Sequence, residues 1–136
     1  MGREVILVDT SAWVEYLRGT ADPVAEQLTE LISQDAELVT TEPVIMELLA
    51  GATTPKLEES IGTLVDGLPL VSVDSRLDYR AAARLYVASR QNGHPIRSLV
   101  DCLIASVAIR RSVALLHRDR DFDYLAEISP LTLIRP

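Results

Sequence analysis

The sequence predicts an α/β fold, a three-layer α/β/α sandwich with a central parallel sheet. Four short apolar segments show no alternation with polar residues, which is typical of strands that are buried on both faces. Longer segments with apolar residues at helical spacing separate them, as expected where helical crossovers connect parallel strands. A chain of 136 residues without internal repeats or linkers fits one domain, which we expect to span residues 1–136.

The first half of the chain contains two predicted strands. β-Branched and aliphatic residues at 4–8 form a strand that ends at Asp9, where polar residues can cap a helix that Gly19 then ends. Pro43 suits the first turn of a later helix, and Gly51 closes that helix. The predicted elements are a strand at 4–8, helices at 11–18 and 23–33, a strand at 37–40, a helix between Thr41 and Gly51, and a helix at 56–66.

The second half of the chain follows the same alternation. Asn92 and Gly93 end an amphipathic helix, and the helix after it is apolar on most of its surface. The predicted elements are helices at 77–91 and 98–111, a strand at 113–117, a short helix at 121–127 and a strand at 131–134.

The composition excludes several classes of protein. Aromatic residues are only 4% of the chain, which argues against a module built on rows of base-stacking rings. The single cysteine excludes an intrachain disulfide and an all-cysteine zinc site. The longest apolar stretch is interrupted by Asp101 and Ser106 and is too short to cross a bilayer, and Glu4 and Asp9 do not suit a signal peptide. We therefore expect a soluble, cytoplasmic protein without membrane attachment.

The charge is unevenly distributed along the chain. The net charge of −7 argues against a general polyanion binder. Between Arg84 and Arg120, however, seven of the 13 basic residues accompany only two acidic ones, so this segment carries +5 and the remainder −12. This asymmetry predicts either a basic face beside an acidic one or simply solvated helix surfaces.

Acidic residues follow two of the predicted strands directly. Asp9 follows the first strand, Asp119 follows the strand at 113–117, and Asp121 comes two residues later. In an open parallel sheet, ligands bind outside the carboxyl ends of the strands. Each aspartate also has a local explanation, because Asp is common at the start of a helix.

Two more acidic residues lie within apolar helical segments. Glu47 and Asp101 each stand among aliphatic neighbours, and carboxylates are rarely buried unless they are paired or bound to a cation. For Asp101 a capping role is the alternative, since Ser98-x-x-Asp101 resembles a capping box and Arg97 precedes it by four residues.

Taken together, these acids predict a cation site. Carboxylates drawn from two strand ends and two helices would repel one another unless a cation lay between them. Mg²⁺ and Mn²⁺ prefer ligand sets made only of oxygen, and enzymes use such sites to activate water and stabilise charge on a phosphoryl group.

Four segments in order carry a resemblance that spans essentially the whole chain. The chain resembles PIN-domain ribonucleases, and more narrowly the VapC toxins of bacterial type II toxin–antitoxin pairs. The four segments are VDTSAW at 8–13, PVIMELLAG at 43–51, RSLVDCLIA at 97–105 and HRDRDF at 117–122.

The resemblance implies a PIN-like fold and a Mg²⁺-dependent endoribonuclease, with Mn²⁺ as a substitute. It further implies a structured RNA substrate, such as transfer RNA or a ribosomal RNA loop, a homodimer, and inhibition by a cognate antitoxin. The implied site residues are the acidic triad Asp9, Glu47 and Asp101, a fourth acid at Asp119 with Asp121 as a second contributor, and a supporting hydroxyl at Thr10 or Ser11. From the basic segment, we expect Arg97, Arg118 and Arg120 to contact flanking phosphates.

The resemblance also suggests roles for the acids. Asp9, Asp101 and Asp119 would hold the cation, and Glu47 would orient or deprotonate the attacking water. Neither His94 nor His117 has a paired ligand spacing, so we expect His117 to be structural or close to substrate.

The sequence gives less support to other functions. An aspartyl-phosphate phosphatase usually needs a second Asp where this chain has Ser11, and a receiver domain needs a lysine near its last strands, whereas the only lysine is Lys56. A binding module whose carboxylates only anchor a partner's arginines remains the alternative from another class.

Overall fold

The computed structural model describes residues 4–134 and confirms the predicted α/β fold. Its central sheet is parallel, with strand order β2-β1-β3. Leu7 in the middle strand pairs with Val39 on one side and Leu115 on the other. The three strands are β1 (Val5–Val8), β2 (Glu37–Val39) and β3 (Ala114–Leu116).

Helices flank this sheet, as expected for parallel strands that must be buried on both faces. Within residues 4–134 there are seven, and their ends agree with the sequence predictions to within about one residue. They are α1 (Thr10–Arg18), α2 (Pro23–Ser33), α3 (Glu42–Ala50), α4 (Pro55–Asp66), α5 (Asp78–Gln91), α6 (Leu99–Arg111) and α7 (Arg120–Glu127).

The edges of the sheet differ from the prediction. The segment predicted as a strand at 131–134 forms only a single parallel bridge, between Leu133 and Leu115. Successive residues of a strand direct their backbone groups to alternate sides, so the three-residue β3 offers only Leu115 to this edge. At the opposite edge, Leu70 forms an unpredicted bridge with Thr40.

The helix α6 runs through the core. Eight consecutive residues, from Asp101 to Ala108, are buried, so this helix has almost no solvent-exposed face over two turns. Leu7, Leu115 and Phe122 are fully buried in the same core. Asp101 is the first residue of this buried stretch, so its carboxylate lies inside the core.

The parallel topology brings the candidate acids to one edge of the sheet. The carboxyl ends of β1 and β3 lie side by side, because the backbone N–H of Asp9 donates to the carbonyl of Leu116 over 2.9 Å. The first turns of α1 and α7 begin at this edge.

In the described part of the chain, every helix is too short or too polar to span a membrane.

Candidate active site

Asp9 is the N-cap of α1 and is almost fully buried, with 3% of its surface exposed. Its Oδ2 accepts two hydrogen bonds from Ser11, from the backbone N–H at 2.9 Å and from the hydroxyl at 2.5 Å. Its Oδ1 is buried and finds no hydrogen-bond partner among residues 4–134. Asp9 therefore caps its helix with one oxygen and leaves the other available to a ligand.

The Ser11 hydroxyl connects the two strand ends. While it donates to Asp9, it accepts the backbone N–H of Arg118 at 2.9 Å, across 107 positions in the sequence. Ser11 therefore fixes the turn after β3 relative to the carboxylate after β1.

Thr10 provides a second hydroxyl contact, to a different acid. Its Oγ1 donates to Oε1 of Glu47 in α3 at 2.7 Å. The sequence left open whether Thr10 or Ser11 supports a carboxylate, and in the structure each supports one.

Asp101 lies in the first turn of α6, with 7% of its surface exposed. The cap of this helix is Ser98, whose Oγ accepts the backbone N–H of Asp101 at 3.3 Å. The carboxyl group of Asp101 instead lies within 4.8 Å of that of Asp119, whose negative charge contributes to the raised pKa of Asp101. The capping box is thus half formed, and the acid itself faces the site.

Asp119 and Asp121 complete an aspartate cluster around Asp101. Each of the three offers one carboxylate oxygen, and the three oxygens lie within 4.8 Å of one another. Asp119 is also the N-cap of α7, because its Oδ1 accepts the backbone N–H of Asp121 at 3.0 Å. Both candidates for the fourth acid are therefore near Asp101.

Burial and mutual repulsion perturb the acids strongly. Burial raises the pKa of Asp9 to about 6, although hydrogen bonds from Ser11 oppose the shift and the nearby charge of Glu47 adds to it. Burial also raises the pKa of Asp101 to about 8, with further contributions from the charges of Asp9, Asp119 and Glu47. Ionised together, these groups would be unfavourable without a cation.

The donor set fits a divalent cation such as Mg²⁺ or Mn²⁺. Every candidate ligand is a carboxylate oxygen, which these hard ions prefer. The unpartnered Oδ1 of Asp9 is the further sign of fit, because a buried carboxylate oxygen without a hydrogen bond is costly unless a ligand satisfies it.

The arginines predicted to contact phosphates differ in their surroundings. Arg97 and Arg120 are exposed. The Nε of Arg118 donates to Oδ2 of Asp22, the N-cap of α2, at 2.7 Å, while much of the Arg118 side chain stays exposed. Contact between Arg118 and a phosphate would therefore compete with Asp22.

His117 contacts the backbone of the turn that carries the aspartates. The Nδ1 of His117 accepts the backbone N–H of Asp119 at 3.0 Å. The only sequence signal for this contact is a histidine two residues before an aspartate at a strand end.

Comparisons with known proteins identify the family of this chain. The family model described as the PIN domain matches residues 6–128. VapC ribonuclease Mb1587 of Mycobacterium bovis and ribonuclease VapC11 of Mycobacterium tuberculosis are each 45% identical over 128 residues, which cover 93% of this chain and 96% of each relative.

Solved structures share the fold at lower identity. The crystal structure of VapBC2 from Rickettsia felis, bound to a DNA fragment from its promoter, matches with a TM-score of 0.73 and 20% identity. The match covers 96% of this chain and 97% of that one. By its domain match and by its identity to curated relatives, this chain belongs to the PIN-domain family and, within it, to the VapC ribonucleases.

Proposed function

We propose that this protein is a Mg²⁺- or Mn²⁺-dependent endoribonuclease that hydrolyses phosphodiester bonds in a structured cellular RNA. One observation carries the proposal: carboxylate oxygens of Asp101, Asp119 and Asp121 lie within 4.8 Å of one another, and the charge of Asp9, whose Oδ1 is buried without a partner among residues 4–134, acts on Asp101. Together with membership of the VapC ribonucleases, this arrangement supports cation-assisted attack of water on phosphorus.

The acids have separable roles in this proposal. Asp9, Asp101 and Asp119 hold the cation, with Asp121 as a further contributor. A bound divalent cation lowers the pKa of water and offsets the negative charge that develops at phosphorus. Glu47 orients the attacking water and accepts its proton, and the hydrogen bond from Thr10 holds Glu47 in place.

Exposed arginines around the site supply the contacts to flanking phosphates. Arg97 and Arg120 are free to approach RNA from solvent, and Arg118 would exchange its contact with Asp22 for a phosphate. The RNA is a structured one, such as a transfer RNA or a ribosomal RNA loop, which the protein would meet in the cytoplasm.

The protein acts as the toxin of a toxin–antitoxin pair, and a cognate antitoxin neutralises it. A cluster of repelling carboxylates suits a basic side chain of that partner, because an arginine forms strong charged hydrogen bonds with carboxylates. We further propose that residues 1–136 form one functional domain.

Sequencing of RNA ends after a brief induction of the protein in cells tests this proposal. We expect new ends at one or a few sites in a structured RNA, and no such ends with Asp101→Asn, which keeps the size of the side chain but not its charge. Coexpression of the product of the neighbouring reading frame should suppress the ends. Identical ends from wild type and Asp101→Asn would contradict the proposal and favour a non-catalytic binding module.

A further inference from the structure

The imidazole of His117 lies inside the connection between β3 and α7. Its Nδ1 accepts the backbone N–H of Asp119 at 3.0 Å, and its Nε2 lies 3.3 Å from Oδ1 of Asp123. The ring packs against the buried ring of Phe122 with 5.3 Å between centroids, and only 10% of the side chain is exposed.

The contact with Asp119 indicates which ring nitrogen of neutral His117 carries the hydrogen. A ring nitrogen that accepts an N–H carries no proton, so the hydrogen of neutral His117 is on Nε2. That nitrogen lies beside the carboxylate of Asp123. His117 thus presents a hydrogen-bond acceptor to the backbone at Asp119.

Side chains hold the backbone of this turn at three points. The N–H of Arg118 donates to Ser11, the N–H of Asp119 donates to His117, and the N–H of Asp121 donates to the carboxylate of Asp119. A rotation of the peptide at Asp119 would redirect its Cα–Cβ bond and move its carboxylate, and the contact with His117 opposes such a rotation. The same turn carries Asp121.

We propose that His117 is a positioning residue for the cation site, which it serves by fixing the backbone of Asp119. This inference rests on the proposed function. His117 acts neither as a ligand nor as an acid or base, since its acceptor nitrogen is used by the backbone and its other nitrogen faces Asp123. Removal of a residue that orients a metal ligand without binding the metal itself typically lowers metal affinity by about 10- to 100-fold.

A purely structural role predicts a different ranking of variants. If His117 serves only to pack against Phe122, then His117→Phe should preserve the site, because it keeps the volume and the ring. In the positioning role, His117→Asn should preserve it, because the Asn Oδ1 lies where Nδ1 does and accepts the same N–H. His117→Gln is the matched control, since it places its oxygen near the Nε2 position.

The experiment measures Mn²⁺ affinity of the wild-type protein and of the three variants by isothermal titration calorimetry, with thermal unfolding to verify folding. We expect His117→Asn to bind Mn²⁺ within about threefold of wild type, and His117→Gln and His117→Phe to bind at least tenfold more weakly. In RNA cleavage the same two variants should lower kcat at a fixed Mn²⁺ concentration while leaving KM for RNA unchanged.

A second measurement needs no metal. The long-range ¹H–¹⁵N spectrum of the metal-free protein should show the Nε2–H tautomer of His117. A proton on Nδ1, or weaker Mn²⁺ binding by His117→Asn than by His117→Phe, would overturn the inference. Absence of both Mn²⁺ binding and cleavage in the wild-type protein would instead overturn the proposed function and remove the inference with it. If His117→Phe does not fold, the comparison of Asn with Gln decides.

Discussion

The hydroxyl of Thr10 donates a 2.7 Å hydrogen bond to Oε1 of Glu47, 37 positions further along the chain. Glu47 is half-buried on a mostly apolar helix, and this bond ties it to the start of α1 beside Asp9. The contact therefore connects the carboxylate proposed to act on water with the strand end proposed to hold the cation.

Thr10→Val tests this connection, because it removes the hydroxyl and keeps the shape of the side chain. A hydrogen bond to a charged group contributes about 1.5–3 kcal/mol, so we expect kcat to fall by roughly 10- to 100-fold with little change in KM. Thr20→Val is the matched control, since Thr20 donates to the carboxylate of Glu15 at 2.6 Å elsewhere on the molecule. Equal kinetics for the Thr10 and Thr20 variants would contradict a role for Thr10.

Removal of metal should abolish RNA cleavage. The candidate ligands are all carboxylate oxygens, so we expect no activity in excess chelator and recovery on addition of Mg²⁺ or Mn²⁺. Cleavage of a fluorescently labelled RNA measures this directly. Full activity of metal-stripped protein would rule out the cation-dependent mechanism.

Asp101→Ala should reveal the repulsion among the carboxylates. Without metal, we expect the free energy of unfolding to stay unchanged or to rise, because one of several mutually repelling groups is removed. Mn²⁺ should stabilise the wild-type protein more than the variant, since a ligand that binds only the folded state stabilises it by mass action. Thermal unfolding with chelator and with millimolar Mn²⁺ measures both effects.

Ser98→Ala provides the contrast for that experiment. Ser98 caps the same helix, so its removal should cost about 0.5–2 kcal/mol with or without metal. If Asp101→Ala were destabilising to the same extent in both conditions, Asp101 would be part of the cap alone.

The stability of the metal-free protein should fall as the pH rises from 5 to 8. The folded state raises the pKa of Asp9 to about 6 and of Asp101 to about 8, so between pH 4 and 8 the folded protein binds more protons than the unfolded chain. Ionisation of these groups with rising pH therefore destabilises the fold. Melting temperatures across this range should show a flatter profile for Asp101→Asn.

Two conditions make the pH prediction specific. Glu59→Gln removes an exposed carboxylate of α4 and should leave the wild-type profile unchanged. Millimolar Mn²⁺ should weaken or reverse the fall, because the cation favours the ionised carboxylates. A profile that is the same for wild type and Asp101→Asn would show that Asp101 is not perturbed.

An apolar surface supports the predicted homodimer. Met46, Tyr79 and Leu99 are each 57% exposed, and two apolar depressions that share Tyr79 and Leu103 connect them. Exposed apolar patches of this kind mark association surfaces. Tyr79→Asp should convert the dimer to a monomer in light scattering, whereas Ile32→Asp, on α2, should not.

The wild-type protein sets the baseline for this prediction. Without the antitoxin and at micromolar concentration, it should scatter light as a dimer. A wild-type monomer, or dissociation by both aspartate variants, would contradict the assignment of this surface.

Local signals were enough to predict the helices and to select the candidate acids. Ser98 and the apolar residues that follow it predict the start of α6. The predicted first residue is within one position of the observed one, because capping depends only on neighbouring residues. Glu47 and Asp101 were recognisable because a carboxylate among aliphatic residues is unusual wherever the chain places it. The strand at 131–134 was overpredicted because strand formation depends on what the neighbouring strand offers, which is here a single residue, Leu115.

The sequence by itself determined the α/β class, the order of the helices, the choice of candidate acids and the family. Only the tertiary structure decided which groups contact those acids. Thr10 donates a hydrogen bond to Glu47, and Ser11 donates one to Asp9. Asp119 and Asp121 both lie near Asp101, and His117 accepts a backbone hydrogen bond in the turn between β3 and α7. The reason is physical. Propensity, capping and hydrophobic periodicity act over a few residues, whereas a hydrogen bond across 107 positions exists only after the sheet has placed two strand ends side by side.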